Sequence, residues 1–400
     1  MEDKLMLQDL DLEDKRVLMR VDFNVPLDDN GQITDDTRIR EALPSIQYIL
    51  QHDASLILMS HLGRPKGKKN PKMSLAPCAK RLSDLLHKPV YMAPDCIGPE
   101  VEKMVKSLKP GEILLLENLR FYDEEENPEK NPSFAKNLSK LGDLYVNDAF
   151  GTAHRAHSST AIITQYFPDK AAAGFLIEKE IAFLGDCLED PKRPFYAVIG
   201  GSKISTKIGA VVHLAEKVDA LFLGGGMFYT FMKMQGKKVG DSICEEDQLE
   251  NARKIIQRCQ ERKIPLYLPV DIVIAKGFSN DAEKKVILAS EDIPDGWQGM
   301  SIGPKTIEEW KKALHKAKMV FWNGPLGVFE FPEFAKSTME MAAIISDLHA
   351  ITIAGGGDSI AAINAANVGD KFSHLSTGGG ASLEFLEFGH LPGIDALSER

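Results

Sequence analysis

The sequence has little with which to build a disulfide framework or a zinc site. Its five cysteines, Cys78, Cys96, Cys187, Cys244 and Cys259, are odd in number, widely scattered and never spaced C-x-x-C. That usage points to reduced thiols and a cytoplasmic protein. No apolar run is long enough to span a bilayer. The opening stretch MEDKLMLQDLDLEDKRV is charged and has no apolar core, so it does not read as a secretory signal. Surplus positive charge is also missing: 48 Lys and Arg stand against 58 Asp and Glu, a formal balance of −10. A phosphate backbone needs a broad basic face, so the balance argues against nucleic-acid binding. Any cationic cluster must be local and aimed at a small anion. Repeats, low-complexity tracts and coiled-coil patterns are absent, and a monomer is the expectation. GRPKGKK at 63–69 lacks the P-loop spacing, and no triple glycine completes G-x-G-x-x-G. Lys66, Lys68 and Lys69 in that run read as a solvated loop.

What is present is alternation. Short β-branched or apolar runs (RVLMRV, SLILMS, EILLLENL, LYVNDA) alternate with longer segments of helical period. After Gly174 a long helical pattern, FLIEKEIAFLGDCLED, reads as a connector between two halves. The alternation then resumes with FYAVIGG, ALFLGGG, PLYLPVDIVIA, MVFWNGP, AITIAGGG and HLSTGGG. Four hundred residues favour two domains. The pattern predicts two doubly wound, mainly parallel α/β domains of Rossmann-like type, joined by one helix.

Ligands of open parallel sheets bind at the carboxyl ends of the strands. In the first half those ends carry Asp22 and Asn24, then Arg38 at a helix start, His61, Gly63 and Arg64, then Arg120, and finally His154 and Arg155 in GTAHRAHSS. Arg40 and Arg81 read as solvated. Four arginines and two histidines on one edge predict an anion pocket. In the second half the strand ends are glycine-rich, at 200–207, 224–228, 323–330, 355–359 and 377–382. Glycine lets a backbone approach a ligand, and several of these loops lead into helices whose free N–H groups suit phosphate. Lys203 and Lys207 are expected one turn apart on one face of a helix start. Asp358 reads as an N-cap or a magnesium ligand. Glu330 reads as a partner of ribose hydroxyls or a residue at a helix entrance.

RVDFNVP, SHLGRP, ENLRF, NDAFGTAHRAHSS, GGSKISTKI, LFLGGGM, WNGPLGVFE, AGGGDS and STGGGASLE occur in one order along the chain. In these motifs, over essentially its whole length, the sequence resembles the phosphoglycerate kinase family. The resemblance implies magnesium-dependent phosphoryl transfer between 1,3-bisphosphoglycerate and ADP, giving 3-phosphoglycerate and ATP. It implies a phosphoglycerate-binding domain at 1–173, a connecting helix at 174–188 and a nucleotide-binding domain at 189–385. Residues 386–400 would return to the first domain. Asp22, Phe23, Asn24, Arg38, His61, Leu62, Gly63, Arg64, Arg120, His154 and Arg155 would surround the phosphoglycerate. Gly201, Lys203, Lys207, Gly225, Gly299, Asn323, Glu330, Gly355, Gly356, Gly357, Asp358 and Ser359 would surround the nucleotide, with Asp358 toward magnesium. Arg38, Lys203, Gly357 and Gly380 would act on the moving phosphoryl group. Thr206 and Ser301 stand where the family often has aspartate, Ser359 where it often has threonine, and AKGF with Lys276 where it often has ADKF. The acceptor is a carboxylate already ionised at neutral pH, so no general base is required, and His154 is expected to position rather than shuttle protons. Closure is expected, with hinges near 174–190 and 377–382. The missing dinucleotide fingerprint speaks against a nicotinamide dehydrogenase. Retained Arg38, Lys203 and Asp358 speak against a scaffold that has lost activity.

Overall fold

The computed structural model describes residues 3–400. They form two compact units: residues up to Ala182 together with His390–Arg400, and Phe183–Gly389. The boundary falls inside a single helix, Phe175–Glu189. Among the described residues no helix is long and apolar enough to cross a membrane.

The first unit is built on β1 (Arg16–Arg20), β2 (Ser55–Met59), β3 (Tyr91–Met92), β4 (Ile113–Leu115), β5 (Leu144–Asn147) and β6 (Ala171–Ala173). They form one sheet in the order β3-β4-β2-β1-β5-β6, with every pair parallel. β2, β4 and β5 are buried along their full length, so their sequences are continuous apolar runs rather than alternations. Met19, Leu58, Leu115 and Val146 from the sheet pack with Ile39, Ile46 and Ile49 of the helix Thr37–Gln51. Those isoleucines recur at helical period and make one buried stripe. The last residues of the chain complete the unit. Ser398 donates its N–H to the carbonyl of Ala171 at 2.9 Å, and Gly393 donates to the carbonyl of Ala153 at 2.8 Å. The second bond braces the GTAHRAHSS loop.

The second unit carries β7 (Phe195–Ile199), β8 (Ala220–Leu223), β9 (Leu266–Tyr267), β10 (Asp271–Ala275), β11 (Lys284–Leu288), β12 (Gln298–Ile302), β13 (Met319–Asn323), β14 (Ile351–Gly355) and β15 (His374–Leu375). Six of them form a parallel sheet in the order β15-β14-β13-β7-β8-β9. Its core holds Val320 and Trp322 of β13 and Phe222 of β8, the last in edge contact with Trp310 at 5.5 Å between ring centroids.

PLYLPVDIVIA is not one strand. β9 joins the parallel sheet, whereas β10 pairs antiparallel with β11 and β12 in a separate three-stranded sheet. Pro269 falls between the two strands; lacking an N–H, it cannot continue a ladder.

In each parallel sheet the strand order reverses at the first strand. β1 lies between β2 and β5, and β7 between β8 and β13. Loops leaving such neighbours diverge and open a crevice at the carboxyl ends of the strands.

Candidate active site

At the crevice of the first unit the structure assembles most of the expected cationic residues. Arg38, in the first turn of its helix, donates from Nη1 to the carbonyl of Asn24 at 2.7 Å and lies 3.5 Å from Asp22 Oδ1. The N–H of Asn24 in turn donates to Asp22 Oδ1 at 3.1 Å, and its side-chain Oδ1 accepts the N–H of Gly63 at 2.9 Å. Arg120 donates from Nη1 to the carbonyl of Gly63 at 3.1 Å and has Glu126 at 3.7 Å. The loops after β1, β2 and β4 are thus tied together. Arg155 and Arg64 are exposed. Phe23 and Leu62 belong to the core by their side chains, and their N–H groups are held by Ser60 Oγ at 2.8 Å and Asn118 Oδ1 at 3.2 Å.

Beneath this rim lies a polar network that the sequence did not announce. Arg20, the last residue of β1, and Glu125 are both completely buried, 3.8 Å apart. Ser159 joins them: its N–H donates to Glu125 Oε1 at 2.8 Å, its hydroxyl donates to Glu125 Oε2 at 2.5 Å, and its oxygen accepts Arg20 Nε at 2.8 Å. Burial raises the Glu125 carboxyl, and Arg20 and Ser159 oppose that rise.

Arg20 Nη2 also lies 3.0 Å from His61 Nδ1. A guanidinium can only donate, so Nδ1 is the acceptor and the ring proton sits on Nε2. Burial and the charges of Arg20, Arg120 and Arg38 hold His61 well below its ordinary pKa. Burial, with Arg155 beside it, lowers His154 to about 4; burial, with Arg20, Arg120 and Arg155, lowers His157 to about 3. All three imidazoles are therefore neutral at pH 7. The charge of the GTAHRAHSS cluster resides on Arg155, and the histidines supply neutral donors and acceptors.

In the second unit the loops after β7 and β13 meet backbone to backbone. Gly200 donates its N–H to the carbonyl of Asn323 at 2.8 Å, and Gly201 to that of Pro325 at 2.9 Å. A Cβ on Gly324, which has φ +102°, would lie 2.2 Å from the carbonyl oxygen of Gly200. Only glycine permits that approach. Ser359 secures the same turn by accepting the N–H of Gly324 at 2.7 Å.

Beside these loops lies a cavity of about 680 Å³, with Gly201, Lys207, Tyr229, Gly299, Glu330 and Asp358 among its lining residues. Lys207 donates from Nζ to Asn323 Oδ1, and burial lowers it to about 8 against the pull of Asp358. Gly357 and Gly380 are the first residues of the helices Gly357–Ala365 and Gly380–Phe388. Their N–H groups lack intrahelical partners and carry the positive end of the helix dipole. Gly225, at φ +76°, is the second residue of the loop after β8 and has its backbone against Gly201 and Pro325. Gly299 sits inside β12, where a Cβ would lie 2.0 Å from Tyr229 Cζ. The Tyr229 ring was not anticipated from the sequence.

Two expectations are corrected here. Asp358 is not an N-cap: Gly356 takes that position, and Asp358 lies in the first turn, exposed on the cavity wall. Lys203 and Lys207 do not share a helix face. The helix runs Ile208–Ala215 with Lys207 as its N-cap, and Lys203 lies in the preceding loop. The carbonyl of buried Ile204 accepts from both Lys207 and Ile208 at 2.8 Å, which closes a turn before the helix begins.

Residues 7–389 match the family model described as phosphoglycerate kinase. The chain belongs to the phosphoglycerate kinase family. It is therefore a phosphotransferase. A curated phosphoglycerate kinase of Moorella thermoacetica is 53% identical over 397 residues, covering 99% of this chain and all of the relative. A cytosolic phosphoglycerate kinase of Nicotiana tabacum is 54% identical over 396 residues, covering 98% of each chain. The solved structure of phosphoglycerate kinase from Coxiella burnetii superposes with a TM-score of 0.84 at 40% identity, covering 98% of both chains. The architecture of two parallel-sheet α/β units is that of these phosphoglycerate kinases.

Proposed function

We propose that the chain transfers a phosphoryl group between 1,3-bisphosphoglycerate and ADP, giving 3-phosphoglycerate and ATP, with the acid bound at the first unit and the nucleotide at the second. The observation that carries this division of labour is the donor set of the first unit's rim: arginines and neutral imidazoles, with His61 bound to a guanidinium rather than to a carboxylate. Such a site grips an anion and abstracts no proton. In the ATP-forming direction an oxygen of the ADP β-phosphate attacks phosphorus, the bond to the acyl oxygen breaks, and the carboxylate leaves with its electron pair. No proton has to move, so alignment and charge neutralisation are the protein's task.

Arg38 and Lys203 neutralise the oxygens of the moving group, assisted by the N–H groups of Gly357 and Gly380. Arg64, Arg120 and Arg155 hold the distal phosphate of the glycerate, with Asp22, Asn24, His61 and His154 orienting its hydroxyl and carboxylate. Lys207, Asn323 and Ser359 hold the phosphate loops, and Gly201, Gly225, Gly299 and Glu330 border the nucleoside. Magnesium fits this donor set. Asp358 offers an exposed carboxylate on the cavity wall, and no group of three or more ligands stands among the described residues. An ion held by one carboxylate takes its other ligands from phosphates and water. When bound, it offsets the charge of the nucleotide phosphates.

Phosphoryl transfer needs acceptor and donor in contact and water kept out. The doubly liganded protein is thus expected to be more compact than the free one, which small-angle scattering measures. We also assign a monomer in the cytoplasm; all five cysteines are free thiols. The direct test is ATP consumption coupled to 3-phosphoglycerate, with and without magnesium. Absence of turnover with both substrates and the metal present would reject the reading.

A further inference from the structure

Lys203 lies outside any helix, so something other than helical hydrogen bonding must fix its loop. Within the turn, Thr206 Oγ1 donates to the carbonyl of Lys203 at 3.2 Å, and a further restraint comes from outside it. Glu245, about 40 residues downstream, places a single carboxylate against three donors of the next two residues. Its Oε1 accepts the N–H of Ile204 at 2.5 Å and that of Ser205 at 3.2 Å, and its Oε2 accepts the hydroxyl of Ser205. Two successive N–H groups converging on one anion form a nest, and here the protein fills it with its own carboxylate.

The clamp is anchored at its other end. The N–H of Glu245 donates to Thr230 Oγ1 at 3.1 Å, and Thr230 is 1% exposed within the helix Phe228–Met234. On the loop itself Ile204 is also 1% exposed. The residue after Lys203 is thus fixed by an apolar side chain on one side and a charged acceptor on the other. Glu245 is not an ordinary helix cap, because the helix starts four residues after Ile204. By accepting the Ile204 and Ser205 N–H groups it holds the backbone of the turn that follows Lys203.

We propose that Glu245 is a positioning residue for phosphoryl transfer: it sets the direction of Lys203 without touching substrate. The proposal rests on reading Lys203 as a cation of the moving phosphoryl group.

The test is a set of variants assayed for kcat, for both KM values and for thermal unfolding: Glu245→Ala, Glu245→Gln, Ser205→Ala, Lys203→Met, and Glu245→Ala with Lys203→Met. Glu245→Ala is expected to lower kcat on the order of tenfold or more, since small misplacements of a catalytic group are costly. KM for phosphoglycerate stays unchanged. Glu245→Gln keeps an oxygen for the backbone donors, and Ser205→Ala removes the hydroxyl bond from the other side. Both should lose less, by similar factors. The deciding readout is the double variant. If Glu245 acts through Lys203, the pair is no slower than Lys203→Met alone. Equal fold-losses from Glu245→Ala in both backgrounds, or unchanged kcat in Glu245→Gln and Ser205→Ala when the alanine variant does not fold, would overturn the proposal. Near-normal turnover by Lys203→Met alone would instead overturn the reading of Lys203.

Discussion

Arg20 Nη2 donates to His61 Nδ1 at 3.0 Å, between two side chains that are 0% and 3% exposed. This contact fixes the imidazole as the Nε2–H tautomer, while burial first, and the charges of Arg20, Arg120 and Arg38 after it, keep the ring neutral. Nitrogen-15 chemical shifts of His61 should report protonated Nε2 and bare Nδ1 at neutral pH, with a midpoint well below the ordinary imidazole value. Arg20→Met should release the tautomer but only part of the lowered pKa, because burial, Arg120 and Arg38 remain. A midpoint near 6 in the unaltered protein would contradict the assignment.

Arg38 is the rim cation whose loss should separate catalysis from folding. Its side chain is 37% exposed, and its partners are the Asn24 carbonyl and the margin of Asp22. Arg38→Ala is expected to lower kcat on the order of 10²–10³, roughly 3–4 kcal/mol of transition-state stabilisation. Thermal unfolding should move little. The coupled assay and a melting curve on the same preparation check both halves.

Sequence motifs located the strand ends and the residues just beyond them, because a parallel α/β chain places its ligand loops at predictable points. They did not reveal Arg20, Glu125 or Ser159. Glu125 stands in DEEEN, a run that looks solvated, yet it is 0% exposed because a guanidinium and a serine surround it. Burial of a charge is a tertiary fact with no local signature. The Lys203 loop failed for a related reason. Nothing in SKISTK shows that this turn precedes the helix or that Glu245, far along the chain, accepts its N–H groups. The three-stranded sheet was missed because its outer strand, Lys284–Leu288, is short and largely exposed, and because its partner Asp271–Ala275 follows β9 in one continuous apolar-looking run.

Arg155 should be separable from the nucleotide. Arg155→Ala is expected to raise KM for 3-phosphoglycerate with little change in KM for ATP. Steady-state kinetics with each substrate varied in turn decide it. A rise confined to ATP would mean that the two ligands have been assigned to the wrong units.

Lys207 gives a pH dependence with a definite sign. Its pKa is lowered to about 8 from an ordinary 10.5, chiefly by burial. Below about 8 both folded and unfolded chains carry the proton, and the folded state bears the cost of a buried charge. Between about 8 and 10.5 the unfolded chain holds more protons, so this residue makes stability rise with pH there. Nucleotide affinity should run the opposite way, weakening as pH passes 8 and the ammonium is lost. Lys207→Met should flatten both trends, in urea unfolding and in ADP titrations from pH 7 to 10.

Gly299 is a position where one methyl group should report on the cavity. Its Cβ would meet Tyr229 at 2.0 Å from Cζ and 2.3 Å from the hydroxyl oxygen. Tyr229 is 3% exposed, so its ring has little room to retreat except into the cavity that it lines. Gly299→Ala is therefore expected to cost about 1–3 kcal/mol of stability by overpacking. The displaced ring should also raise KM for ATP while leaving that for 3-phosphoglycerate alone. Adding Tyr229→Leu removes the colliding ring atoms and should recover part of the ATP affinity. If the double variant binds ATP no better than Gly299→Ala, the loss comes from the strand β12 itself and not from the ring driven into the nucleotide's space.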